Sequence, residues 1–458
     1  MEKKFLLVLY LSIIAVGIVQ AFTHPFVDQS VELLDNYFIF QGMTPYVDFF
    51  EHHPLLQNFL LSPVFWLTGP SGFALLAYRI LAFIGVLFSA WLVYMIAKRN
   101  FANPHAASLF FLAGYTGLVI GFLRYEFWSL LFLLLFLYFQ KPFWRGLALA
   151  GLGATSPIVV LATIALGLAY VASLRKFKPA AFAIGGGLLG LVIWRIVHWN
   201  IPVAAMYEAI VIWNNKLGAA YALPFLEVFF FSLIYVGISL IAAAPGAIAG
   251  LRKWKPDAVL ASVFVATFIT QVILMNVVYG MFTRVKLPAF LPVLGVLAIF
   301  VAGLKWRTTG IAIGAAAVVT FLAFTPSLAM PELGTIDASV TLNRCVAPDA
   351  KFVLEQDTRE GRMHAPLFRE PLRYYWFILT DLEDDINGSI TRLATAVDRK
   401  FEAKQPAMPI SICGNSIARD DWMCSEEKLA ALQGQCRTYV PAKSIWYRTR
   451  TAIKDFLV

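Results

Sequence analysis

Five carboxylates crowd into residues 23–56: Asp28, Glu32, Asp35, Asp48 and Glu51. Three of the six histidines, His24, His52 and His53, stand among them. Residues 1–330 hold ten carboxylates in all, so half of them lie in this one segment. Side chains of these types can take a proton from a hydroxyl, orient an acceptor or meet a phosphate. Asp28 is one of the carboxylates able to take a proton, with helix capping as its other reading. Asp48 is the second catalytic candidate, orienting an acceptor or bracing a turn, while Glu51, His52 and Tyr46 complete the acceptor-facing set. Arg124, Arg284, Lys286 and His53 are basic groups able to meet a phosphate. A histidine can donate to phosphate but is charged only if its pKa is raised. Arg124 beside Glu126 also reads as an ion pair at the end of a span.

The elements that carry these residues follow from composition. The 458 residues are 59% apolar and 14% charged, against about 45–50% and about 25% in soluble domains. That excludes a soluble enzyme, a disordered chain and a disulfide-stapled miniprotein, and predicts a polytopic membrane protein. Residues 1–330 carry 20 basic against 10 acidic side chains, and residues 331–458 carry 17 against 18. The excess positive charge belongs to short loops between apolar spans, where it signals topology rather than nucleic-acid binding. The expectation is therefore a membrane module over 1–330, with a catalytic outer loop over 23–72, and a small α/β domain over 331–458.

A span needs about 20 apolar residues. Single spans are predicted at 5–22, 73–96, 105–122, 126–140, 180–197, 225–248, 257–279, 287–304 and 309–329. The stretch 146–174, broken by Thr155-Ser156-Pro157, reads as a hairpin of two short helices, for eleven spans in total. With the N-terminus inside, 14 of the 20 basic residues of 1–330 fall in inner loops, from Lys3 and Lys4 to Lys305 and Arg307. The tail then emerges outside, where Cys345, Cys413, Cys424 and Cys436 could form disulfides in any of three pairings. Free buried thiols are the alternative, and the spacing does not suit zinc. A cleaved signal peptide ending at Val19-Gln20-Ala21 is the other reading of the first span.

Within the outer loop, Asp28 is placed to cap a helix over about 29–41, stopped by Gly42, with Asp35 on its wet face. A second interfacial helix, interrupted at Pro63, precedes the next span at Gly72. Trp194, Trp199, Trp213, Tyr207 and Tyr221 read as an interfacial aromatic belt or as sugar-stacking rings. Gly185-Gly186-Gly187 reads as a close helix contact, and His105 and His198 as interfacial residues without chemistry. The tail is expected to hold strands at Lys351–Leu354 and Trp376–Leu379 and helices at Ile390–Glu402 and Glu426–Leu432.

Asp28, Gln41-Gly42 and Pro45-Tyr46-Val47-Asp48-Phe49-Phe50-Glu51-His52-His53-Pro54 together resemble the first outer loop of GT-C membrane glycosyltransferases. The likeness is to the bacterial relatives of protein O-mannosyltransferase and of lipid A aminoarabinose transferase. Arg124-Tyr125-Glu126, Arg284-Val285-Lys286-Leu287-Pro288 through Pro292, and the tail piece Ala365-Pro366 through Phe377 are similar to further family patterns. Where the family often has Glu after its aspartate, this chain has Gln29.

The resemblance implies an inverting transfer of a sugar from a polyprenyl-phosphate carrier to a hydroxyl of an envelope glycan or lipid. The reaction would run on the periplasmic face of a bacterial inner membrane, with Asp28 as the base and Arg124, Arg284, Lys286 and His53 toward the departing phosphate. The partners implied are the bilayer, the donor and the acceptor, without nucleic acid. No cofactor is required and a divalent metal is not indicated. The competing classes are a membrane transporter or flippase and a non-catalytic carrier-lipid-binding assembly protein. Acids gathered in an outer loop rather than at the bilayer midplane argue against transport.

Overall fold

The computed structural model describes residues 3–23, 54–68, 72–119, 125–156, 159–213, 255–279 and 291–303, with isolated residues of 35–46 and 244–252 and short pieces of the tail. The described chain is mostly helical. Its helices are α1 (Lys3–Thr23), α2 (Leu56–Leu61), α3 (Val64–Thr68), α4 (Gly72–Asn100), α5 (Pro104–Val119), α6 (Tyr125–Tyr138), α7 (Pro142–Thr155), α8 (Val160–Ser173), α9 (Phe177–Val197), α10 (Val203–Tyr207), α11 (Pro256–Tyr279) and α12 (Leu291–Val301). A π-helical turn, Glu208–Trp213, continues α10. Two of these helices, α4 over Ala77–Asn100 and α9, are long and apolar enough to cross a membrane.

The helix boundaries have local causes. Pro142 opens α7 behind an extended Lys141, as a residue without an N–H can at a first turn. The helix ends at Thr155 because Ser156 is extended, with φ −157° and ψ 135°, the conformation imposed on a residue before proline. The predicted hairpin over 146–174 is thus two helices, α7 and α8, parted at Ser156-Pro157. Pro63 likewise separates α2 from α3, and α4 begins at the expected Gly72. Of the predicted span 225–248 only residues 244, 247 and 248 are described, and the predicted span 309–329 lies outside the described residues.

The bundle centres on α4, α5, α6 and α12, with α1 against α5, and α7 packed between α6 and α9. The α7–α9 contact is the most extensive of all. A Cβ on Gly146 would strike the Ala183 carbonyl, and one on Gly186 the Phe143 carbonyl. Those glycines let two backbones touch, so the close-contact reading holds at Gly186. At Gly185 nothing lies within 4 Å. The opposite side of α9 is apolar and open, with Ile184, Leu188, Leu191 and Ile196 each more than half exposed, a surface suited to lipid rather than water.

The helices gather two chemically different ends. At the basic end, Arg145 meets Asp257 at 2.6 Å and donates from Nε to the Phe139 carbonyl at 2.6 Å. Its guanidinium also lies 5.2 Å from the Tyr170 ring centre. Arg99 donates to the last carbonyls of α6, Tyr138 at 2.8 Å and Leu137 at 2.7 Å. A cation there also suits the negative end of the helix dipole. These contacts tie α4, α6, α7, α8 and α11 together.

In the tail, β1 (Val353–Leu354), β2 (Pro409–Ile412) and β3 (Asn415–Ala418) form an antiparallel sheet of order β1-β3-β2. β1 falls within the predicted strand Lys351–Leu354. The β2–β3 hairpin pairs Ile410 with Ile417 and Ile412 with Asn415, and it was not anticipated from the sequence. The four cysteines and the predicted elements at 376–379 and 390–402 lie outside the described residues.

Candidate functional site

The loop end of the bundle, opposite the basic end, carries the described parts of 35–58. Asp35, Asn36, Ile39 and Phe40 are helical. Gly42 stops that helix with φ +80°, its N–H donating to the Ile39 carbonyl at 2.9 Å. Glycine reaches this left-handed backbone without steric cost, as expected for the C-terminal stop. The expectation for Asp35 is corrected: it is 1% exposed and Asn36 is fully buried, so this face of the helix meets protein rather than water. Packing on both sides accounts for the error, because a surface helix was assumed to have one wet face.

Two anchors hold the loop. The Phe40 ring stands 5.8 Å from Phe65 of α3, which stands 6.4 Å from Tyr78 of α4. Further along, Thr44 accepts from the Asn200 amide at 3.3 Å. Tyr46 is buried with Leu55, Ile201, Met206 and Ala209. Its φ of +63° is unusual for an aromatic residue. Such a conformation costs about 1–3 kcal/mol and persists where surroundings over-determine it. Tyr46 is the one candidate from the acceptor-facing set that falls among the described residues, and it is a packed anchor of the loop. Asp28, Asp48, Glu51, His52, His53, Arg124, Arg284 and Lys286 lie outside them.

Around these anchors the loop end is polar beneath its surface. Glu126, in the first turn of α6, is 4% exposed and Arg79 of α4 is 4% exposed. Arg79 was missed, although it is the only charged residue between 72 and 97, and a lone cation in an apolar run is itself a signal. Ser129 and Thr155 share a 2.8 Å hydrogen bond that joins α6 to the end of α7.

His198 also differs from expectation. It is fully buried, lying 4.8 Å from the Phe59 ring and 4.8 Å from Trp194, with Nδ1 at 2.7 Å from the Trp194 carbonyl. Burial pushes its pKa below the ordinary histidine value, outweighing the opposite pull of that hydrogen bond, and Arg195 adds to the lowering. The ring is therefore neutral, with its proton on Nδ1. Trp199 and Tyr207 are 76% and 58% exposed, which suits the belt and the stacking readings alike, whereas Trp194 packs inward.

Among the described residues, no three His, Cys, Asp or Glu side chains gather as metal ligands. What this end can do chemically is present neutral hydrogen-bonding groups and a few buried charges beneath a strapped loop. Comparison with protein-family models, curated proteins and solved structures finds no match to this chain.

Proposed function

We propose that the chain is an integral-membrane glycosyltransferase of the GT-C type. It moves a sugar from a polyprenyl-phosphate carrier to a hydroxyl of an envelope glycan or lipid. The observation that carries the reading is the acid- and histidine-rich loop 23–56, whose described parts are strapped onto the end of a helical bundle. In this reading the apolar helices hold the carrier's tail, and the loop end faces the periplasm. Asp28 takes the acceptor proton as the hydroxyl attacks the anomeric carbon, and the carrier phosphate leaves with the bonding pair. Arg124, Arg284, Lys286 and His53 stabilise the phosphate, while Asp48, Glu51, His52 and Tyr46 set the acceptor and the loop. One base and one displacement invert the anomeric configuration.

The reading is tested by incubating purified chain, in liposomes, with polyprenyl-phosphate sugars and candidate acceptors. Asp28→Asn is expected to cut transfer by about 100-fold or more, the scale of a lost general base. Transfer at the wild-type rate in that variant would sink the assignment, and a product of retained configuration would sink the single displacement.

A further inference from the structure

Between Glu126 and Glu208 the chain holds no carboxylate and six cations: Lys141, Arg145, Arg175, Lys176, Lys178 and Arg195. Two are committed inside the fold, Arg145 to Asp257 and Arg195 to the carbonyls of His198 and Ile201. The other four are exposed, and among the described residues no carboxylate pairs with any of them. All four stand at the basic end. The Arg145 guanidinium lies 5.2 Å from the Tyr170 ring centre. One helical turn further toward that end come Lys141, whose carbonyl accepts from the Arg145 N–H, and Leu174 at the close of α8. Arg175-Lys176-Phe177-Lys178 follows directly as the turn into α9.

This charge runs without a break into the open apolar side of α9. Phe177 is 89% exposed, Phe182 and Ile184 are 52% each and Leu188 is 58%, on a helix long and apolar enough to cross a membrane. Phe182 follows Lys178 by four residues, about 6 Å of helix. The headgroup region outside the hydrocarbon is about 5–7 Å deep on each side. With hydrocarbon covering α9 from Phe182 onward, Arg175, Lys176 and Lys178 therefore stand at the level of lipid phosphates. Trp144 of α7, which packs on α9, is 45% exposed and has the amphipathic ring that suits this boundary. A soluble phosphate would use the cations but leave Phe177 and the α9 face uncovered; a lipid covers both. We propose that Arg175, Lys176 and Lys178, with Lys141 and Trp144 beside them, form a docking surface for anionic phospholipid headgroups in one leaflet of the bilayer. Such docking requires α9 to cross a bilayer and is independent of glycosyl transfer.

Native mass spectrometry of the full chain, released from an uncharged detergent, counts the lipid it retains. The probes are dioleoyl-phosphatidylglycerol and dioleoyl-phosphatidylcholine, which share their acyl chains and differ in headgroup charge. Wild type holds the phosphatidylglycerol at least about tenfold more tightly. Arg175→Gln with Lys176→Gln and Lys178→Gln cuts that preference at least about tenfold, within the scale of three basic residues at an anionic surface. Taking the same charge from the tail, with Arg399→Gln, Lys400→Gln and Lys404→Gln, leaves the preference intact. The lipid-free melting temperature of the first triple variant stays at the wild-type value, because exposed cations without partners hold nothing together. Equal retention of the two lipids by wild type overturns the surface, as does a first triple variant that behaves as wild type. An equal loss in the tail variant would reduce the effect to net charge and also overturn it. So would a marked fall in the lipid-free melting temperature of the first triple variant, since its cations would then brace the fold. Tail-less glycerophosphoglycerol that raises the wild-type melting temperature as much as the lipid does would replace the lipid surface with a soluble phosphate site.

Discussion

His198 and Arg145 are the two residues whose burial makes the firmest demands. Because burial lowers the His198 pKa from its ordinary value of 6.5, the unfolded chain holds a proton at pH values where the folded chain does not. Stability therefore rises with pH through this window, and is lost as pH falls from the unfolded value toward the folded one. The wild-type melting temperature should drop between about pH 7.5 and about pH 5.5, and that of His198→Gln should drop less. Parallel curves would count against a neutral buried ring. Arg145 and Asp257, at 2.6 Å with side chains 8% and 15% exposed, make the other demand. Removing one partner of a buried pair costs about 3–5 kcal/mol, and solvent reaching Asp257 places Arg145→Met at the lower edge of that range. A double variant, Arg145→Met with Asp257→Leu, should recover part of the loss in denaturant titrations. Neither role was legible beforehand. Arg145 read as one of several topology charges and His198 as an interfacial ring, because Asp257 and Phe59, which meet them in the fold, lie far along the chain.

Elements were more legible than residues, because their signals are local. The Ser156-Pro157 break, the Pro63 break, the start of α4 at Gly72 and the Gly42 stop follow from proline and glycine chemistry within a few residues. The burial of Asp35 and Asn36 was not legible, since polar residues opposite an apolar helical stripe read as a wet face. The Gly185-Gly186-Gly187 run shows the same limit: it predicted a close contact, but not that Gly186 makes it. Alanine tests this directly. Gly186→Ala places a Cβ against the Phe143 carbonyl and should destabilise by at least about 1–3 kcal/mol, as overpacking does. Gly185→Ala meets nothing within 4 Å and should be neutral, or gain up to about 1 kcal/mol of helix propensity. Equal melting temperatures for the two variants would contradict the α7–α9 backbone contact.

For the whole molecule, the two ends of the bundle correspond to the two sides of the membrane in the proposed topology. In that proposal the basic end, with Lys98, Arg99, Lys141 and Lys178 at or beside its helix termini, is the cytoplasmic one and the loop end the outer one. An alkaline phosphatase fused after Val458 should be active, and a fluorescent protein at the same site dark. The reverse pattern would invert the topology and remove the carrier-lipid chemistry from the loop. The carboxylate cluster of 23–56 was visible in composition alone. The burial of the Gln57 and Asn58 amides was not, because two neutral residues in a short helix carry no charge or spacing that marks them. The central claim is transfer from a lipid-linked sugar with Asp28 as base. It is tested most directly by mass spectrometry of envelope glycolipids and polyprenyl phosphates from cells with the chain, without it, and with Asp28→Asn. The account predicts that one sugar disappears from a glycan and its polyprenyl-phosphate donor accumulates in both defective strains. Unchanged glycans and donors in all three would contradict it.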